Sequence, residues 1–174
     1  MKKIGMAVAI GGLVFAVYWA LQQSAKPAPP TATPMSETVV PPQPNELPDL
    51  PLTIANGEVQ SARELPGNSI LIIYFPDCDH CQREAQAISS NLMAFASRPL
   101  WFITSASQPE IDKFADTYRL AGHTNIHFAR TDMRDVVRNF GSIPTPSVYL
   151  YSPDKRLVKA FKGETPIDEI MRAL

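Results

Sequence analysis

The feature that most constrains this chain is a change of hydrophobic period at a pair of cysteines. Residues 69–75 form an unbroken apolar run rich in β-branched side chains, which is typical of a central strand covered on both faces. From Cys78 onward, apolar residues recur at three- and four-residue steps, which predicts an amphipathic helix. They are Cys81, Ala85, Ile88, Leu92 and Phe95. The motif Cys78-Asp79-His80-Cys81 therefore lies where a strand passes into a helix.

The rest of the chain beyond residue 50 alternates between short strands and helices. Asn56-Gly57 favours a hairpin turn, and residues 152–155 suggest a second one near the end. The predicted strands are 50–54, 58–60, 69–75, 100–104, 126–129, 147–151 and 156–161, and the predicted helices are 78–98, 109–120, 133–140 and 165–174, the last capped by Thr165. Strands separated by helices require crossovers, so we predict an α/β fold with a central mixed sheet and helices on both faces.

The two cysteines are candidates for redox chemistry. At a helix N-terminus, unpaired N–H groups and the positive end of the dipole favour a thiolate at Cys78. Cys81, one turn further, can close a short disulfide with it, so the pair can form a mixed disulfide and then resolve it. His80 would add positive charge beside Cys78, whereas Asp77 and Asp79 oppose it. The sequence does not decide the net effect.

Half of a metal site is the principal alternative for the cysteines. His80, His123 and His127 could supply further ligands, but no second cysteine pair or closely spaced histidine pair accompanies the first. A copper-handling protein is thus one alternative, although its relatives generally place three residues between the cysteines. A non-catalytic binding module with a structural disulfide is another, although so short a loop gives little entropic benefit. We expect neither a metal nor an organic cofactor.

The first 45 residues differ in composition from the rest. Lys2 and Lys3 precede an uncharged apolar run, Ile4 to Leu21, that is long enough to cross a bilayer with the N-terminus in the cytoplasm. Nine of the 17 prolines fall between residues 27 and 51, which predicts an extended linker. We expect a transmembrane anchor over 1–23 in contact with the lipid bilayer, a linker over 24–45, and a periplasmic or extracytoplasmic domain over 46–174. A cleaved signal peptide, leaving a soluble periplasmic domain, is the alternative.

The charge balance excludes one class of partner. The chain has 16 basic and 17 acidic side chains. Three lysines and one glutamate precede residue 46, so the predicted domain carries a net charge of −3. Nucleic-acid binders normally present a basic face, and we expect no nucleic-acid partner.

Residues 47–174 resemble the thioredoxin superfamily, and within it the membrane-anchored TlpA/ResA-like thiol–disulfide oxidoreductases (redoxin, AhpC/TSA-related). The resemblance rests on the strand leading into Cys78-Asp79-His80-Cys81, on Thr145-Pro146 before a strand, and on the closing hairpin and helix. It also matches the opening positions Pro48, Asp49, Leu50, Leu52, Gly57, Val59, Leu65 and Gly67. It implies a thioredoxin-like fold, exchange with exported protein thiols or disulfides, and recycling by a membrane electron-transfer partner. Cytochrome c maturation is a common role in this family, whereas the Pro-x-x-x-Thr-x-x-Cys pattern of peroxiredoxins is absent.

The resemblance also implies roles for individual residues. Cys78 would be the attacking thiol and Cys81 the resolving thiol. A cis-proline would lie across from Cys78 and hold the substrate by backbone contacts. Counting back from the strand favours Pro146, preceded by Thr145, over the alternative Pro144.

Two positions depart from the thioredoxin pattern. Asp77 stands where thioredoxins usually have tryptophan, and Ile72 stands where they have a buried acid that shuttles a proton to the resolving thiol. The proton acceptor for Cys81 is therefore unassigned. Glu84 is a candidate only by proximity, and we expect it to be a solvated helix position.

Overall fold

The computed structural model describes residues 45–174. Seven strands form one mixed sheet in the order β2-β1-β5-β4-β3-β6-β7. The strands are β1 (Pro51–Ile54), β2 (Val59–Ser61), β3 (Ile70–Ile73), β4 (Leu100–Thr104), β5 (Ile126–Arg130), β6 (Ser147–Tyr151) and β7 (Leu157–Lys162). Strands β3, β4 and β5 run parallel, and the remaining pairings are antiparallel.

Four α-helices connect or follow these strands. They are α1 (Asp79–Ser89), α2 (Gln108–Thr117), α3 (Met133–Phe140) and α4 (Ile167–Met171), and short 3-10 helices cover Ala62–Glu64 and Leu92–Phe95. Within residues 45–174, no helix combines the length and apolar character needed to cross a membrane. The predicted anchor over 1–23 and nearly all of the predicted linker over 24–45 lie outside the described residues.

The sheet is covered on both faces, as the unbroken apolar run of β3 predicts. Ile70 and Ile72 point into one core cluster with residues of α1 and α4. Leu71 and Ile73 point into the opposite cluster with residues of α3 and of the segment before β3. Since side chains alternate along a strand, a strand with helices or loops on both faces needs an apolar residue at every position.

Three predicted helices are shorter in the structure. The helix predicted over 109–120 spans Gln108–Thr117. The helix predicted over 78–98 ends at Ser89, because Ser90 and Asn91 bond through their side chains to the carbonyls of Gln86 and Ala87, and a 3-10 turn follows. The last helix spans only Ile167–Met171. The prediction of Thr165 as its cap is wrong, since its hydroxyl donates to the carbonyl oxygen of Gly163 and Pro166 takes the N-cap position.

Sheet register places two distant loops side by side. Strand β6 runs antiparallel to β3, with Ser147 opposite Ile73. The carboxyl end of β3 and the amino end of β6 therefore lie at the same edge of the sheet. The loop that leads to Cys78 and the loop that contains Pro144 and Pro146 meet there.

Candidate active site

Cys78 is the N-cap residue of α1. Its backbone is extended, with φ −87° and ψ 115°, and its Sγ accepts a hydrogen bond from the backbone N–H of Cys81 at 3.4 Å. Both cysteines are free thiols; Cys78 is half-buried, while Cys81 is buried. The structure thus brings the two predicted thiols together, with the more accessible one at the helix N-terminus.

The loop before β6 completes the surroundings of Cys78. The Thr145–Pro146 peptide bond is cis, which confirms Pro146 as the cis-proline in preference to Pro144. The Cys78 thiol donates to the carbonyl oxygen of Thr145 across 3.7 Å. Pro146 is buried, and the Ser147 hydroxyl donates to the carbonyl oxygen of Pro144 at 2.6 Å. A backbone carbonyl of this loop therefore faces the candidate nucleophile directly.

Two features keep Cys81 protonated, namely its burial and its proximity to Cys78. Burial, and after it the hydrogen bond and charge of Cys78, raise the pKa of Cys81 to about 12. Two of these causes depend on Cys78, so they weaken once the Cys78 sulfur is bonded covalently to another sulfur. Cys81 is thus held as a thiol in the dithiol state.

Glu84 is buried, contrary to the sequence expectation. The residue is only 3% exposed, and the backbone N–H of Thr165 donates to Oε2 at 3.4 Å. Oε1 has no hydrogen-bond partner, and burial raises the pKa of Glu84 to about 7. The reason is helical spacing. Glu84 follows Cys81 by three residues and precedes Ile88 by four, so it lies on their buried face of α1.

The side chain of His80 bonds to the loop after β7. His80 Nδ1 lies 2.6 Å from Oε2 of Glu164, and Arg83 donates to both oxygens of the same carboxylate at 2.8 and 2.6 Å. Asp79 is exposed in the first turn of α1, and Asp77 is exposed in the loop before it. Arg83 and Glu164 were not predicted as site residues. No local pattern indicates Glu164, because it lies 81 residues from Arg83.

The other two histidines belong to different surroundings. His127 on β5 stacks on Trp101, with ring centroids 4.4 Å apart, and His123 contacts the carbonyl oxygen of Arg119. Within residues 45–174, no three potential metal-ligating side chains form a cluster. The structure therefore does not bring His123 or His127 to the cysteine pair.

Comparison with solved structures identifies the architecture. DsbF of Mycobacterium tuberculosis, solved in mixed oxidized and reduced forms, superposes with a TM-score of 0.61 at 20% identity, covering 75% of this chain and 96% of that one. The secreted M. tuberculosis disulfide oxidoreductase described as homologous to Escherichia coli DsbE gives 0.56 at 17% identity, covering 72% and 93%.

The described domain has a thioredoxin-like fold. Peroxiredoxin Q of Xanthomonas campestris shares it as well, with a TM-score of 0.55 at 21% identity and coverage of 75% and 92%. No protein-family model matches the chain, and no curated protein is similar to it in sequence. Since this thioredoxin-like fold serves more than one thiol chemistry, the choice among them depends on the residues around Cys78.

Proposed function

We propose that this chain is a thiol–disulfide oxidoreductase that exchanges disulfides with protein thiols through Cys78 and Cys81. The observation that carries the proposal is the position of Cys78. It caps α1, is half-exposed, accepts a hydrogen bond from Cys81 and faces the Thr145 carbonyl. The site thus supplies an attacking thiol and a second thiol that can resolve a mixed disulfide. The Thr145 carbonyl adds a backbone group that a substrate chain can contact.

The proposed reaction has two steps. In the first, the Cys78 thiolate attacks one sulfur of a partner disulfide, the partner's S–S bond breaks, and its other sulfur leaves as a thiolate. In the second, Cys81 loses its proton and attacks the Cys78 sulfur. The Cys78–Cys81 bond forms, and the partner's first sulfur leaves. Two electrons pass to the partner, and the reverse sequence oxidises a partner dithiol.

Glu84 is the proposed proton acceptor for Cys81. It lies three residues after Cys81 on the same face of α1, it is buried as Cys81 is, and its pKa of about 7 lets it take and release a proton near neutral pH. In the mixed disulfide, the Cys78 thiolate no longer raises the pKa of Cys81. The proton can then pass to Glu84. Glu84 would thus take the role of the buried acid that thioredoxins have at the position of Ile72.

We also propose that the domain is tethered to a membrane and lies outside the cytoplasm. The apolar run before residue 22 and the proline-rich stretch after it support a membrane tether, with the domain outside the cytoplasm. Its substrates would be exported proteins with thiols or disulfides, and a membrane electron-transfer partner would restore the cysteine pair. Cytochrome c maturation is a candidate context.

Covalent trapping tests the function. The full chain in detergent, with Cys81→Ser or Cys78→Ser, is mixed with a model peptide that carries a disulfide. Cys81→Ser should accumulate a reducible adduct through Cys78, and Cys78→Ser should form none. The unsubstituted chain should reduce the peptide while Cys78 and Cys81 form a disulfide. The proposal fails if Cys81→Ser forms no adduct, or if Cys78→Ser exchanges as fast as the unsubstituted chain.

Two other measurements separate the alternatives. Stoichiometric copper that survives dialysis would favour a copper-handling protein. A very negative reduction potential of the Cys78–Cys81 disulfide would favour a structural bond in a binding module, whereas a value among those of exchange catalysts supports the oxidoreductase.

A further inference from the structure

The three residues after β7, Gly163 to Thr165, contact three parts of the candidate site. The Gly163 N–H donates to the carbonyl oxygen of Pro146 at 2.8 Å. The Thr165 N–H reaches buried Glu84, and the Glu164 carboxylate binds the exposed face of α1. This segment, called here the 163–165 segment, therefore fixes Glu164 beside the first turn of the helix that Cys78 caps.

The Glu164 carboxylate contacts two nitrogen-bearing side chains, those of Arg83 and His80. The Arg83 guanidinium donates to both of its oxygens, and His80 Nδ1 lies 2.6 Å from one of them. Arg83 Nη2 also lies 2.7 Å from His80 Nδ1. Nδ1 thus faces a carboxylate acceptor and a guanidinium donor, so it either donates to Glu164 or accepts from Arg83, according to its tautomer.

The charge of Glu164 is permanent under ordinary conditions. Hydrogen bonds from Arg83, and then from His80, lower the pKa of Glu164 to about 2. Its hydrogen bonds with Arg83 also raise the pKa of the guanidinium. The carboxylate therefore offsets the positive charge of Arg83 throughout the neutral range.

That positive charge lies within electrostatic range of Cys78. Cys78 caps α1, and Arg83 is the fifth residue of that helix. After the hydrogen bond and charge of Glu164 and the charge of Asp79, the charge of Cys78 also raises the pKa of Arg83. Around Cys78, the charged or titratable groups are Asp77 in the loop, Asp79, His80, Arg83 and buried Glu84 on α1, Cys81, Tyr74 at the end of β3, and Glu164. Arg83 is the permanent cation of this set, and Glu164 contacts both Arg83 and His80.

We propose that Glu164 is a positioning residue that holds His80 and Arg83 in an ion-paired cluster and thereby limits the fraction of Cys78 present as thiolate. The inference rests on the proposed exchange function and names the group that tunes it. Without the carboxylate, the charge of Arg83 would act on Cys78 uncompensated. The thiolate, and with it the dithiol form, would become more stable, and the disulfide would be a stronger oxidant.

The test compares Glu164→Gln with a matched loss of charge elsewhere. Glu58→Gln removes one carboxylate from the turn between β1 and β2, at the opposite edge of the sheet. Alkylation of Cys78 by iodoacetamide is measured against pH in the full chain carrying Cys81→Ser. We expect Glu164→Gln to lower the pH midpoint by roughly half a unit to one unit, and Glu58→Gln to leave it in place.

Three further results check the mechanism. Equilibration of the two-cysteine chain with glutathione should move roughly three- to tenfold toward the dithiol in Glu164→Gln. Glu164→Asp, which keeps the charge, should restore part of the difference. Adding Arg83→Gln to Glu164→Gln should return the midpoint toward that of the parent, because the uncompensated cation is then gone.

An unchanged or raised midpoint in Glu164→Gln, with a thermal melt showing a folded protein, would overturn the inference. Should Glu164→Gln fail to fold, Glu164→Asp and Arg83→Gln test the same charges. Arg83→Gln should raise the midpoint, and no shift in it counts against the proposal. The exchange function is judged separately by adduct formation in Cys81→Ser, so either idea can fail alone.

Discussion

The backbone N–H of Thr165 donates to Oε2 of Glu84 across 3.4 Å, and Oε1 of the same carboxyl is buried without a partner. One weak hydrogen bond does not offset the loss of hydration of a full charge. The carboxyl therefore titrates near neutral pH instead of near its ordinary value of 4.5. Both its protonation and its ionisation are accessible under physiological conditions.

This relationship predicts that the folded chain loses stability as pH rises. Because the pKa of Glu84 is raised on folding, the folded state holds its proton between about pH 4.5 and 7 while the unfolded state releases it. The protonated Glu84 contributes its full share of the free energy of unfolding below pH 4.5. This share declines toward pH 7, and the total loss is about 3 kcal/mol. Urea unfolding of the reduced protein at pH 4.5, 6 and 8 measures it.

Glu84→Gln is the variant that isolates this effect. The free energy of unfolding of Glu84→Gln should fall less between pH 4.5 and 8 than that of the unsubstituted chain. Glu110→Gln, which removes an exposed carboxylate on α2 whose pKa is lowered by Ser107, serves as the control. Equal pH slopes in Glu84→Gln and the unsubstituted chain would show that Glu84 does not titrate as described.

The same carboxyl predicts the pH profile of the resolving step. If ionised Glu84 accepts the Cys81 proton, collapse of the mixed disulfide should accelerate as pH rises through about 7. Glu84→Gln should lose that inflection and slow the step by on the order of 100-fold, while adduct formation by Cys78 stays unaffected. Rapid mixing with a fluorescent disulfide peptide separates the steps. An inflection retained in Glu84→Gln would assign the proton acceptor elsewhere.

Gly67 is predicted to tolerate no side chain. A Cβ there would lie 2.0 Å from the carbonyl oxygen of Pro153, which is backbone and cannot rotate aside. Gly67→Ala should lower the free energy of unfolding by roughly 3 kcal/mol. Gly57→Ala is the matched comparison. Its Cβ meets nothing within 4 Å, but its φ of +84° makes alanine cost roughly 1 kcal/mol. Equal losses in denaturant unfolding would contradict the close approach.

Two buried hydroxyls should respond oppositely to removal. The Tyr74 hydroxyl is buried without a partner, whereas the Ser69 hydroxyl donates to the Pro66 carbonyl at 2.7 Å. Tyr74→Phe should be neutral or stabilising by up to about 1 kcal/mol, since it removes an unsatisfied group. Ser69→Ala should destabilise by about 1–2 kcal/mol. Thermal and urea unfolding of both variants test this, and a clear loss in Tyr74→Phe would indicate a hydrogen bond at that hydroxyl.

The parts of the fold that follow from local sequence were predictable. The bounds of β4, α3 and β6 match their predicted ranges, because period and turn residues mark both ends of each. The cysteine pair and the cis bond at Pro146 were predictable from their places beside β3 and β6. The burial of Glu84 also follows from helical spacing, because a residue three positions after Cys81 lies on the same face of the helix.

Contacts between distant segments were not predictable from the sequence. Glu164 follows β7 in a polar stretch, and nothing in its neighbours indicates that it meets His80 and Arg83. Such a contact depends on how α1 and the end of β7 are placed in three dimensions. Local periodicity carries no information about that placement.

The pairing of Ile73 with Ser147 has a consequence for how this site can change over evolutionary time. Cys78 and Thr145 are 67 residues apart in the chain, yet each follows or precedes its strand by only a few positions. The hydrogen-bonded pairing of β3 with β6 therefore fixes the distance between Cys78 and Thr145. Insertions between Thr104 and Gln108, or between Thr117 and Ile126, would lengthen surface loops without moving either residue. A one-residue slip between β3 and β6 would separate them and turn core side chains outward, so selection acts on the ladder before it acts on the loops.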